Sequence, residues 1–513
     1  MALEGDRVET RATSAGAVLR WPRVWMAVVA LSVVPRLVHL DVPPLDRHDF
    51  RQTQTAITVQ AFLDRGVDVL KYQTPVLGPP WMVPFEFPVF QLSAFAVARL
   101  TAFDLDLACR LTAVLWFYAS AWILYALVRH WTTPRLAVLS LLLYVLSPFS
   151  LLWSRAVLID YAAVALLLGY FHTTLLWSID GRRWAWLAAV VLGSLGVLTK
   201  ITTAATVAVP VALALGWRLR RAWETRRSDG GGHALGVGLV AVLIAGVPLV
   251  SGVLWTRWTD AIKAAQPATA SLTSQALTTW NFGTWGQRGS LLPWGEILGR
   301  IAATILPAAF AATLLLAFPF FRRADRRLKI AGWMALTGVL TPILVFFNLY
   351  RVHDYYLIAV APFLAFLGAA GIAFLLERPA WHRTRVRTLV LGVALLSTIP
   401  CWTYAAPTYQ VSRDTPLARL GRVIAGATTP GDWVVVQGDE WNSRILYASR
   451  RRGFMIWEGR TDVRPLTSRP ELGALVCKEC TPELLALFPR RRLVGSEASY
   501  DVYRLWPESG QPR

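Results

Sequence analysis

The feature that most constrains this chain is a series of apolar runs, each near the roughly 18–20 residues needed to cross the hydrocarbon of a bilayer. Hydropathy places them at roughly 24–40, 110–128, 136–153, 161–177, 184–199, 202–217, 234–254, 297–320, 330–348, 357–376 and 388–404. That is about eleven crossings, the count expected of an all-α polytopic membrane protein. Composition agrees. Of the 513 residues 55% are hydrophobic and only 16% are charged, where soluble domains sit nearer 45–50% and 25%.

The charge distribution supplies an orientation. With the N-terminus in the cytoplasm, the inner segments are 7–23, 129–135, 182–183, 218–227, 322–329 and 378–387. They hold about 22 Lys and Arg, and the longer outer loops hold about half as many, which is the positive-inside pattern. Shifting one span scrambles the alternation. An odd number of crossings puts the C-terminal tail on the far side of a cell membrane, plasma or inner. The net charge of +20 does not indicate nucleic acid, because it is spread in short runs between apolar spans. The basic start runs into the first span without an Ala-x-Ala exit, so no cleavable leader is expected.

Two outer loops are long. The first, about 41–108, predicts a short helix from Asp49 to Gly66, with Ile57, Ala61 and Phe62 on one face and Gly66 as C-cap. It then predicts an amphipathic helix over 86–103 lying in the membrane interface. The second, about 255–296, carries Trp280, Trp285 and Trp294 as belt aromatics. The domain division is 1–404 for the membrane part and 405–513 for a small extracytoplasmic α/β domain. Strands are expected near 432–437, 453–457, 472–476 and 500–505, and a helix opening on Thr481, Pro482 and Glu483. This domain is expected to be accessory, with Asp439-Glu440 as its one acidic pair of interest. Cys477 and Cys480 precede that helix rather than start it, so they are not a thioredoxin-like pair; a local disulfide and free thiols are equally consistent.

Ionisable groups bordering spans are costly and usually functional. Here they converge on the outer face. Asp46, His48, Asp49, Arg51 and Gln52 open the first loop, and Lys71 and Glu86 follow in it. Arg155 and Asp160 flank the exit of the third span, Lys200 ends the fifth, and Arg351, His353, Asp354, Tyr355 and Tyr356 lie between two outer helix ends. Each has a plainer reading. Asp49 can cap its helix, Arg155 and Asp160 can form a local ion pair, Lys200 can snorkel to headgroups, and the tyrosines can be belt residues. The two His-Asp pairs suit a divalent metal in type, but two pairs are thin grounds and no metal or other cofactor is expected.

This layout resembles the GT-C superfamily of integral-membrane glycosyltransferases. Within it, the likeness is to the branch of dolichyl-phosphate-mannose–protein mannosyltransferases and the aminoarabinose–lipid A transferase. It covers roughly residues 20–400. It rests on the acidic first loop and its helix ending in Gly66, Glu86-Phe-Pro-Val-Phe-Gln, Arg155-Ala-Val-Leu-Ile-Asp160, Lys200, and the segment from His353 to Pro362. The string Asp49-Phe-Arg-Gln-Thr-Gln-Thr-Ala is its most family-like piece. There are departures. These relatives commonly carry adjacent Asp-Glu at the helix start, whereas Asp49 is followed by Phe50, with Asp46 three residues earlier. The aminoarabinose transferase has a phosphate-binding lysine where this chain has Phe87, so that contact falls to Arg51, Lys71 or Lys200.

The resemblance implies transfer of a sugar from a polyprenyl-phosphate donor to an acceptor hydroxyl at the bilayer surface. Asp49 is the expected base and Asp46 the fallback, one helical turn away. Arg51 and Lys200 are expected to keep Asp49 ionised and to face the donor phosphate. His48, Gln52, Glu86, Arg155, Asp160, Arg351, His353, Asp354, Tyr355 and Tyr356 are the expected substrate-binding set. The alternatives are a transporter or flippase of lipid-linked glycans, and a membrane ligase or acyltransferase working through His48 or His353. The charges gather at one face rather than at the midplane, which disfavours transport.

Overall fold

The computed structural model describes residues 22–225, 232–306 and 308–506. The basic residues before Pro22, and Arg226 and Arg227, lie outside the described residues. The chain is a helical bundle carrying a small mixed sheet at one end.

Six described helices are long and apolar enough to cross a membrane: Leu105–Trp131, Asp160–Ser178, Ile201–Thr225, Gly232–Ala264, Arg326–Val345 and Thr384–Tyr409. Shorter apolar helices, among them Trp25–Leu37, Pro134–Leu146, Ala185–Thr199 and Ala361–Leu376, run beside them. The expectation of about eleven counts these as crossings too. Several breaks are written in the sequence. Pro148 follows the extended Ser147 and starts a new helix, Pro148–Trp153, so the apolar run 136–153 is not one straight rod.

Asp160–Ser178 is apolar on every face and almost wholly buried, as expected of a helix surrounded by others. Ala185–Thr199 packs against it through glycine. A Cβ at Gly196 would lie 2.8 Å from the Leu167 side chain, so only glycine permits the approach. This packing sets Lys200, the residue that caps the helix, beside Asp160.

The first loop holds two helices, Asp49–Arg65 and Val89–Thr101. The first ends at Gly66, whose φ of +87° and N–H bond to Phe62 O make it the stop read from the sequence. The tail forms five strands: β1 (Trp433–Gln437), β2 (Arg452–Ile456), β3 (Leu472–Cys477), β4 (Arg491–Glu497) and β5 (Tyr500–Leu505). Their order is β2-β1-β3-β5-β4; β1 is parallel to β2 and β3, and β5 is antiparallel to β3 and β4. The Pro482–Ala486 helix is capped by the Thr481 side chain, and Cys477 and Cys480 are joined as a disulfide. β4 was not expected. Its basic, exposed edge position lacks the apolar alternation that marks a strand.

Loop and tail share one core. Ile57, Val76 and Phe90 from the loop pack with Leu420, Val434 and Val476 from the tail. Backbone bonds reinforce it. Gly453 N–H donates to Pro75 O (3.2 Å), Met455 N–H to Val76 O (2.9 Å) and Gly78 N–H to Gly453 O (3.2 Å), along the free edge of β2. The tail thus docks on the loop.

Candidate active site

The Asp49–Arg65 helix is entered through His48, which has left-handed backbone at φ +54°. That conformation is strained for a residue with a Cβ and persists only where its surroundings hold it. They do. His48 Nε2 lies 2.7 Å from Asp354 Oδ1, and Arg47 donates to Asp354 Oδ2 at 2.8 Å, with the Tyr404 hydroxyl on the same oxygen at 2.6 Å. Burial alone would raise the Asp354 carboxyl; these donors and the Arg47 charge hold it below the ordinary carboxylate range.

Asp49 follows on the first turn, half-buried. Its Oδ1 accepts the Phe50 N–H at 2.7 Å, and its Oδ2 accepts from Arg444 Nη1 at 3.1 Å. Arg444 is gripped by Asp439, which takes Nε and Nη2 at 2.7 Å each. Burial raises the Asp439 carboxyl above its ordinary value despite Arg444, with Asp49 and Glu440 adding to the rise. The expected neighbours of Asp49 are therefore corrected. Arg51 bonds Glu86 and Gln54, and Lys200 bonds Asp160 through Nζ at 2.6 Å.

Aromatic rings line both ion pairs: Arg51 lies 5.9 Å from the centre of the Phe85 ring, and Lys200 lies against two tyrosines. Lys200 Nζ lies 4.1 Å from the centre of the Tyr356 ring and 5.2 Å from that of Tyr355. Tyr355 is buried and packs edge-on to His48, with ring centres 5.1 Å apart, so neither tyrosine is simply a belt residue. His353 adjoins the same rings. Burial, helped by His48, Lys200 and Arg51, lowers its imidazole to about 4. Lys200 is not a snorkelling residue: it is 3% exposed and ion-paired with Asp160.

Other expected residues lie differently. Asp46 is not a turn away on the same helix, which begins after it. It is buried against Arg110 Nη2 (3.1 Å) and the Gln52 amide. Arg110 also binds the carbonyls of Val42, Pro43 and Arg155, so this pair anchors the start of the loop. Gln52 spends its other end on the Val157 N–H. Arg155 does not pair with Asp160; it donates to His39 O at 2.6 Å and lies over the Tyr409 ring. Arg351 pairs with Glu296 at 2.8 Å, and Lys71 is exposed.

Two participants were missed. Arg444 opens the short helix Arg444–Ser449, 395 residues from Asp49. Lys263 is 5% exposed, pairs with Asp260, and lies 5.1 Å from the centre of the Phe85 ring beside Glu86. The helix that carries it runs to Ala264, ten residues past the expected end of that span, and a longer span would have brought Lys263 to notice.

No curated protein matches the sequence. Residues 84–244 match the profile of the dolichyl-phosphate-mannose-protein mannosyltransferase family. The fold is similar to that of ArnT from Cupriavidus metallidurans, solved bound to undecaprenyl phosphate, at 15% identity and a TM-score of 0.63, covering 96% of this chain and 99% of that one. The apo form of the same protein gives 16% identity and a TM-score of 0.59 over the same shares of the two chains. The apo oligosaccharyltransferase of Archaeoglobus fulgidus is similar at 11% identity and a TM-score of 0.52, over 88% of this chain and 69% of that one. The helical bundle, its first loop and the docked sheet together share the fold of ArnT and, more distantly, that of the archaeal oligosaccharyltransferase.

Proposed function

We propose that this protein transfers a sugar from a polyprenyl-phosphate donor to an acceptor hydroxyl, by single displacement with inversion. The observation that carries the reading is a half-buried carboxylate, Asp49, on the first turn of the helix that also carries the cation Arg51, together with the buried cation Lys200 against the Tyr355 and Tyr356 rings. The mannosyltransferase profile over 84–244 and an ArnT relative solved with undecaprenyl phosphate support the donor class.

In this scheme the acceptor oxygen attacks the anomeric carbon while its proton passes to Asp49. The bond from that carbon to the phosphate oxygen breaks, and the electron pair leaves with polyprenyl phosphate. A phosphate leaving group needs no general acid. Its developing charge is met by fixed cations, Arg51 and Lys200. Each is already held by a carboxylate, Glu86 or Asp160, which fixes its position before the donor arrives. Lys71, exposed and outside this cluster, is left out of the clamp. His48, His353 and Asp354 shape the wall beside the base.

The same reading places the first loop and the tail outside the cytoplasm, with about eleven crossings when the short apolar helices are counted. The alternation of basic segments supports it. A reporter fused after Arg513 should be active only outside the cytosol. For the chemistry, purified protein given an undecaprenyl-phosphate sugar should release undecaprenyl phosphate in an acceptor-dependent way. Asp49→Asn should lose that release while still binding donor. Failure to consume any polyprenyl-phosphate sugar, across hexose and pentose donors, would sink the proposal.

A further inference from the structure

The tail reaches the candidate base with one side chain, and the way that side chain is built in has a use. Arg444 presents three nitrogens, and each has a carboxylate oxygen. Nε and Nη2 make a bidentate pair with Asp439 at 2.7 Å each, and Nη1 reaches Asp49 Oδ2 at 3.1 Å. A bidentate guanidinium–carboxylate pair fixes orientation as well as distance. Asp439 therefore aims the third nitrogen at Asp49.

The surroundings hold this geometry from both sides. Ser443, next to Arg444, is buried, and its hydroxyl meets that of Thr53 at 2.8 Å, one turn along the helix that begins with Asp49. Asp439 follows Gly438, whose φ of +94° lets β1 turn away into this loop, and Glu440 also takes left-handed backbone at φ +47°. The Phe50 and Trp441 rings close edge to face at 4.7 Å between centres. With Oδ1 on the Phe50 N–H and Oδ2 on Arg444, each oxygen of Asp49 has one bond and one lone pair left for a substrate proton.

We infer that Arg444 is a positioning residue for Asp49, and that the C-terminal domain thereby completes the active site instead of merely flanking it. The inference rests on the proposed role of Asp49. The tail, held by Asp439, sets which lone pair of the base faces the acceptor; the donor clamp at Arg51 and Lys200 does not depend on it.

The test is a double-mutant cycle on acceptor-dependent release of undecaprenyl phosphate. Arg444→Ala should lower kcat by about tenfold to a hundredfold, the cost of misplacing a reacting group, with the KM for donor unchanged. Arg444→Lys should recover part of the loss. In an Asp49→Asn background, Arg444→Ala should add less than about twofold, since residues that act as one unit are not additive. A merely structural role would add its full loss there. Because Arg444→Ala strands Asp439, the pair Arg444→Ala with Asp439→Asn is run beside it and should show the same kcat loss with the fold retained. Arg464→Gln, which breaks an exposed tail ion pair with Asp462, is the control and should match wild type. If Asp49→Asn is slow but Arg444→Ala runs at the wild-type rate, or the two losses multiply, the inference fails and the base stands. If Asp49→Asn itself runs at the wild-type rate, the role of Asp49 fails, and this inference with it.

Discussion

Lys200 and Asp160, forty residues apart, meet Nζ to Oδ1 at 2.6 Å with almost no exposure on either side chain. Taking one charge away leaves the other buried and unpaired, which costs about 3–5 kcal/mol. Asp160→Asn and Lys200→Met should each lower thermal stability by that order in detergent. The double variant should recover much of the loss, yet bind donor more weakly than wild type because a clamp cation is gone. A double variant no more stable than either single one would contradict this.

Asp49 and Asp46 separate under substitution. Losing a general base costs about 10²–10⁴ in rate. Asp49→Asn should show a loss of that order with expression and donor affinity nearly unchanged. Asp46→Asn instead leaves Arg110 buried without its carboxylate. It should appear first as lost stability, about 3–5 kcal/mol, measured by thermal unfolding. A stable, slow Asp46→Asn beside a fully active Asp49→Asn would reverse the roles.

His353 should make the protein acid-sensitive in a defined window. Its folded imidazole is lowered from 6.5 to about 4 by burial and neighbouring positive charge. Below pH 6.5 the unfolded chain takes a proton that the folded chain refuses until about pH 4. Stability is therefore intact above pH 6.5 and falls between there and pH 4, by up to about 3.5 kcal/mol at about 1.4 kcal/mol per unit. Unfolding midpoints from pH 7 to 4 should fall less in His353→Gln than in wild type. Equal slopes would count against it.

Removing residues 410–513 should destabilise the membrane part. The cut uncovers Val76, Leu77 and other loop residues that share the tail's core. The truncated chain should elute as aggregate in size-exclusion chromatography. A monodisperse truncation that binds donor at wild-type affinity would show the loop folds without its cover.

Much of the bundle was legible because bilayer thickness leaves direct marks in the length and apolarity of its helices. The Asp49–Arg65 helix and its stop at Gly66 were legible because period and cap are local signals. Partners were not. Asp49 and Arg51 look like a pair in the sequence, but side chains two positions apart on a helix do not face each other, and Arg51 turns to Glu86 across the loop. Arg444 left no trace because Asn442-Ser443-Arg444 reads as any polar helix start. Only the docking of the sheet gives it meaning. Lys263 was lost to a boundary error at a helix end, where sequence-based assignment is weakest.

The free edge of β2 is covered by Pro75–Gly78, a segment made some 370 residues before its partner strand. During synthesis this stretch emerges early, and its backbone groups stay without their final partners until every later helix has been inserted. Only then does the last hundred residues of chain arrive to accept them. Joining of the loop to the tail is thus a closing event in biogenesis. A ribosome that stops before residue 452 would leave a threaded bundle whose first loop has no template to settle against.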